Sequence, residues 1–402
     1  MTLGLLLGAA ALLALFALGL ALLTCTPAPS YPMALLSVAV SEKTFVPGLA
    51  ALAAALLALP ALHSRLRILA ALVLLLGALA LALALRPPLQ ARAVARARGV
   101  SLDVARYLTA PIERDSGHAP ITLPYARPGG QSLALDVYPA PADGVSAAAR
   151  RAVLVIHGGG WSAGDKAETS RSNLWLAAQG FHVFALEYRL APTARWKEMI
   201  GDVKCAVGWI KDHARLRVGD RTLAIDPTRV ALLGRSAGGQ LALLAGFTSG
   251  DAELPSSCGG DESAVDAIIA LYAPTDLVWG YANPTRRQVY DSGAKLRGLM
   301  GGAPADVGEA YQRASPCFRV HAQVPPVLLV HGDHDQIVSP RHVDFLATRL
   351  QALGIYHERL TVPFGQHGFD YIVGGLGGQL TEDAIVKFLT EVDHRKTAAP
   401  AR

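Results

Sequence analysis

The chain has 402 residues, 51% of them apolar, with a positive mean hydropathy and a formal net charge of +5. That length admits two or three domains with a sizeable core, and so apolar a composition is unusual for a chain without membrane segments. Six arginines between Arg86 and Arg114 stand against only Asp103 and Glu113. Such a basic run beside an apolar helix is a membrane-surface feature, not the aromatic-interleaved face of a nucleic-acid binder, so nucleic acid is not expected as a partner.

Residues 3–23 carry no charge and are long enough to cross a bilayer. A secretory signal peptide is the competing reading, but it would want a positive n-region and a shorter apolar core. A second apolar stretch, 46–62, is interrupted by Pro47 and Pro60, and a third runs over 68–85, after a basic loop with Arg65 and Arg67. Helices apolar all round are buried in protein or in lipid, so three spans are expected over 1–86. Arg65 and Arg67 would hold their loop in the cytoplasm and send the rest outside; Arg86, Arg92, Arg96 and Arg98 pull the other way. The expectation is a multi-pass protein of a bacterial inner membrane, its larger part extracytoplasmic.

Residues 87–120 read as a basic linker, with a short helix over 90–107. From Ile121 the composition becomes that of a globular domain reaching about residue 395, followed by a tail over 396–402. Leu133–Tyr138 alternates as a strand does; residues 153–156 are a continuous apolar run, as in a strand covered on both faces, 181–186 read as another strand, 230–233 as the strand before the elbow, and 267–272 and 327–330 as further buried strands. His357–Val362 reads as another strand. Helices are expected over 199–214, 341–353 and 380–391. Strands alternating with helices predict a mostly parallel α/β sheet. Residues 278–316 break the alternation and are a candidate lid, with a plain surface loop as the alternative.

The chemistry centres on Gly234-Arg-Ser-Ala-Gly238, between an apolar strand and a helical stretch. Strand, Gly-x-Ser-x-Gly, helix is the sequence of a nucleophile elbow, in which Ser236 projects above the sheet edge and small flanking residues let strand and helix pack closely. A serine hydroxyl needs a base, and the base an acid to orient it. Asp333 and Asp335 follow the strand at 327–330, with Asp335 favoured because the apolar pair Ile337-Val338 re-anchors the loop after it. His367 follows the strand at 357–362, between Gly365 and Gly368. Both loops lie at carboxyl ends of strands, where sites on open α/β sheets form. The glycine run 158–160 after the strand at 153–156 leaves room for backbone amides: Gly159, Gly160 and Ala237 are the expected oxyanion donors. His157 reads as a brace. No P-loop lysine or dinucleotide fingerprint follows those glycines.

His157-Gly-Gly-Gly160, the Ser236 elbow, the Asp335 loop and Gln366-His-Gly368 resemble the α/β-hydrolase superfamily. Within it the chain is similar to carboxylesterases of the hormone-sensitive-lipase kind and to bacterial feruloyl-esterase-like hydrolases. Residues 159–166, Tyr188-Arg-Leu-Ala-Pro192 and the 202–209 helix add to the match. The resemblance covers roughly residues 133–389 and leaves out the apolar stretches before it. It implies the α/β-hydrolase fold and ester hydrolysis through an acyl-enzyme at Ser236, Asp335 and His367, with no metal or organic cofactor and a small or lipid-like acyl ester as substrate. Lipase, deacetylase or amidase action on the same residues is the alternative, and an inactive membrane-anchored binding module a further one. Cys205, Cys258 and Cys317 lie in the catalytic half; an extracytoplasmic domain would suit a Cys205–Cys258 disulfide, and free buried thiols are the other possibility.

Overall fold

A computed structural model of the chain describes residues 2–111, 117, 119–142, 148–260 and 263–398. Four helices come first: α1 (Thr2–Leu23), α2 (Tyr31–Glu42), α3 (Phe45–Ala58, continued by a 3-10 turn Leu59–His63) and α4 (Arg67–Ala97). Helices α1, α3 and α4 are long and apolar enough to cross a membrane. They pack through small residues, with Ala10 and Ala14 of α1, Ala54 and Ala58 of α3 and Ala70 of α4 buried among one another. Leu12, Leu15, Leu56, Leu72 and Leu75 point outward and are exposed. Small residues inside and large apolar ones outside is how helices associate in lipid.

Two sequence expectations are corrected here. Residues 87–120 are not a linker from their start: α4 runs on through Pro87 and Pro88 to Ala97. The prolines forfeit two helical donors, but Ala91 and Ala95 are buried against the globular core, Lys387 donates to the Arg98 carbonyl, and Arg98 pairs with Glu358. The helix expected over 90–107 is therefore the end of α4 plus a separate α5 (Val104–Thr109), capped by Asp103. Residues 112–116 and 118 of that segment, and 399–402 of the expected tail, lie outside the described residues. The second correction is α2, absent from the sequence reading.

Among the described residues the rest of the chain is built on nine strands: β1 (Ile121–Ala126), β2 (Leu133–Tyr138), β3 (Arg150–Ile156), β4 (His182–Leu186), β5 (Arg215–Val218), β6 (Arg221–Arg235), β7 (Ala267–Leu271), β8 (Val327–Gly332) and β9 (His357–Val362). Their order is β1-β2-β4-β3-β6-β7-β8-β9, with β5 paired to β6 as a hairpin. From β4 to β9 all neighbours are parallel; β1 and β2 join antiparallel at one edge. Helices α7 (Trp196–Asp212), α8 (Ala237–Phe247) and α12 (Arg341–Ala352) cover one face; α6 (Ser170–Ala178), α13 (Leu376–Ala398) and the end of α4 cover the other. Burial on both faces is why the central strands are unbroken apolar runs. The segment 278–316 is largely helical: α9 (Leu277–Ala282), α10 (Ser292–Met300) and α11 (Pro304–Arg313).

Candidate active site

Every group singled out for the chemistry sits at the carboxyl end of a parallel strand. Beyond β6 the backbone turns at Ser236, held at φ 54° and ψ −119°, and enters α8 at once. A side chain rarely tolerates that conformation, and here its neighbours enforce it. A Cβ on Gly234 would stand 2.1 Å from the Gly238 carbonyl oxygen, and one on Gly238 would stand 2.2 Å from that of Ile156. Only glycine lets β6, α8 and β3 come this close.

His367, beyond β9, places Nε2 2.9 Å from Ser236 Oγ and Nδ1 2.7 Å from Asp335 Oδ2. Asp335, beyond β8, is fully buried; its Oδ1 accepts the amides of Ile337 and Val338 at 2.8 and 2.9 Å. Burial would raise its carboxyl, but the adjacent His367 and His331 outweigh that and hold it well below the usual carboxylate range. A carboxylate only accepts, so His367 Nδ1 carries a proton and Nε2 offers its lone pair to the Ser236 hydroxyl. Asp333, the other candidate acid, instead accepts the Phe364 amide at 2.6 Å and so ties β8 to the loop of His367.

The glycine loop beyond β3 lies across Ser236. Gly159 and Gly160 have φ of 98° and 59°, and a Cβ on Gly160 would meet Tyr290 Oη at 2.1 Å. Among the described residues the amides of Gly159, Gly160 and Ala237 donate to no protein acceptor. Trp161 Nε1 donates to Gln240 of α8, and Lys295 of α10 reaches Ser162, so the loop is held from two sides. His157 is buried, stacked on Tyr188, with Nδ1 against the Gly158 carbonyl; burial lowers its pKa. It braces the loop and does not reach Ser236.

One residue of the elbow had no assignable role in the sequence. Arg235 is buried and donates to Asp370 Oδ2 at 2.6 Å, while Tyr272 Oη donates to Asp370 Oδ1 at 2.5 Å. The Tyr272 ring packs edge-on against His367 at 4.6 Å. Arg235 and Asp370 therefore brace the floor under the base. Farther out, Arg189 grips buried Asp202 through Nε, Nη2 and its backbone amide, and a Cys205–Cys258 disulfide fastens α7 to the loop before β7. Among the described residues no group of His, Cys, Asp and Glu is placed to hold a metal ion.

The profile of the BD-FAE family matches residues 135–350, more than half of the chain. Esterase LipC of Mycobacterium tuberculosis is 33% identical over 259 residues, 62% of this chain and 60% of its own length. LipM of the same organism, a probable carboxylic ester hydrolase, is 29% identical over 59% of this chain and 53% of itself. The chain thus spans little more than half the length of these relatives. Among solved structures, the butyrate-bound esterase of Thermogutta terrifontis superposes with a TM-score of 0.54 at 25% identity, over 68% of this chain and 94% of that one. A truncated carbohydrate esterase from gut microbiota gives 0.55 at 24%, over 71% and 99%, a likeness of fold.

Proposed function

The chain belongs to the BD-FAE family, an α/β-hydrolase group, and from that premise we propose that it is a serine hydrolase of carboxylic esters. The observation that carries the proposal is the unbroken line Asp335–His367–Ser236, at 2.7 and 2.9 Å, beneath the free amides of the glycine loop. His367 Nε2 takes the Ser236 proton as Oγ attacks the acyl carbon. The carbonyl electrons move onto oxygen, which the amides of Gly159, Gly160 and Ala237 receive. His367 passes the proton to the leaving alkoxide, the C–O bond breaks, and an acyl-enzyme and a free alcohol result. Water then attacks the acyl carbon, losing a proton to His367, which returns it to Ser236 Oγ as the acid departs. Asp335 orients the imidazole and stabilises its cation throughout.

Helices α1, α3 and α4 are assigned as membrane spans. Three crossings put α2 and the globular part on one face of the bilayer, and the loop with Arg65 and Arg67 on the other. The disulfide suits an oxidising compartment and favours the extracytoplasmic face for the globular part. Helices α9 and α10 serve as a cover over one side of Ser236. Lipase and deacetylase action differ from this scheme only in the group leaving or the acyl chain carried.

The test is p-nitrophenyl butyrate turnover and fluorophosphonate labelling on the full chain in detergent. Ser236→Ala should abolish labelling and lower kcat by at least about 10³-fold. Turnover that survives this change sinks the assignment.

A further inference from the structure

Two cavities meet at Ser236, and they differ in what bounds them. The smaller, of about 40 Å³, lies toward α9 and α10 against Trp161, Ala237, Leu277 and Leu296. The larger, of about 410 Å³, has His367 in its wall, and Tyr31, Leu35 and Val38 of α2 form another side. A helix from the membrane half of the chain therefore walls the space beside the base.

That helix is fixed in place at both ends. Before it, the Ala28 amide donates to Gln336 Oε1 at 2.6 Å, and Gln336 Nε2 donates to Gln366 Oε1 at 2.8 Å. These two glutamines adjoin Asp335 and His367 in sequence. At its other end Glu42 accepts the Gly377 amide at 2.8 Å. A third contact comes from α4. Arg86, the first charged residue after the apolar stretch 68–85, stands 5.4 Å over the Phe364 ring, three residues before His367. A charged residue ending an apolar span marks the bilayer boundary. With α4 assigned as a span, this contact sets the loop of the base near the membrane surface, beside α2. Tyr31 and Leu35 keep 43% and 44% of their surface exposed at the mouth of the larger cavity.

Ester chemistry assigns the two cavities. His367 must deliver its proton to the leaving oxygen, so the alcohol portion lies on its side of Ser236, in the larger cavity. The acyl portion lies opposite, in the smaller one, which takes only a short chain. Resting on the hydrolase assignment above, we propose that the substrate is a short-chain acyl ester of a long-chain alcohol resident in the bilayer, admitted along α2.

The full chain in lipid nanodiscs separates this from other ester preferences with three probes. Hexadecyl butyrate has the long chain on the alcohol, ethyl palmitate has it on the acid, and p-nitrophenyl butyrate is the water-soluble control. Hexadecyl butyrate should be hydrolysed at least about fivefold faster than ethyl palmitate. A smaller or inverted ratio, with the soluble ester turned over, overturns the substrate class and leaves the hydrolase assignment standing. Failure of all three probes with Ser236 unlabelled removes the hydrolase assignment and this one with it. Leu35→Asp should lower hexadecyl butyrate hydrolysis relative to p-nitrophenyl butyrate by about fivefold or more, with Leu35→Met restoring the ratio. If both esters fall together in Leu35→Asp, α2 is a structural support only and the proposed entry is wrong.

Discussion

The site has two halves built on different principles. Ser236, Asp335, His367 and the glycine loop stand on strand ends, and short, partly buried hydrogen bonds join Asp335, His367 and Ser236. The cavity walls beside Ser236 include helices outside the sheet, α2 on one side and α9–α10 on the other. Proton transfer needs sub-ångström placement, which a sheet packed on both faces supplies. A wall needs only apolar surface in the right place, and a docked helix supplies that with a few contacts. Changes in the first half should therefore touch every substrate alike, and changes in the second should alter which substrates are taken.

The largest expected effect tests the first half directly. Asp335→Asn keeps the shape but presents an amide to His367 Nδ1 and favours the wrong tautomer, so kcat should fall by about 10³–10⁴-fold for any ester. Asp333→Asn, which weakens the hold on the Phe364 amide and the contact with His334 Nδ1, should cost about 1–2 kcal/mol of stability and leave His367 and Asp335 in contact. Comparable losses of kcat from the two changes would mean that the acid has been assigned to the wrong aspartate.

What was legible in the sequence follows the same division. Gly234 and Gly238 announce the elbow because no other residue fits between β6, α8 and β3. The apolar runs at 153–156 and 327–330 announce buried parallel strands because both faces are covered. Asp335 could be preferred to Asp333 only through the apolar pair after it, and it is the amides of that pair which bind Oδ1. The rest depended on contacts far apart in the chain. Arg235 meets Asp370 across 135 positions, and Ala28 meets Gln336 across 308. Helix α2 is too short to read as a span and mixes Ser37, Ser41 and Glu42 with its apolar residues. Pro87 and Pro88 read as the end of a helix, and it is burial of Ala91 and Ala95, with the contacts of Arg98 to Lys387 and Glu358, that keeps α4 going.

A smaller effect probes the floor that the elbow shares with the base. Arg235→Met leaves Asp370 buried without its cation, a change that costs about 3–5 kcal/mol. Removing both charges, in Arg235→Met with Asp370→Leu, should recover much of that loss, since paired burial of charge contributes little net stability. Thermal unfolding of the two variants decides it. A double variant as unstable as the single one would show that Arg235 acts through some partner other than Asp370.

The last effect concerns how the α2 wall is held, and its sign can be worked out. Glu42 is buried against the start of α13, where Gly375 and Gly377 leave space that a Cβ would fill at 2.4 and 2.7 Å from its carboxyl oxygens. Burial, aided by nearby Asp370 and opposed by the α13 amides, pushes its pKa up from 4.5 to about 8. A group whose pKa rises on folding contributes its full stabilisation below the unfolded value, here 4.5, and loses it as pH climbs through about 8. The full chain in detergent should therefore lose stability from about pH 5 to about pH 8, by at most about 1.4 kcal/mol per pH unit from this group. Glu42→Gln keeps an acceptor for the α13 amides but cannot ionise, so its melting temperature should vary less over that range. Equal slopes in the two proteins would mean that Glu42 is already ionised in its seat.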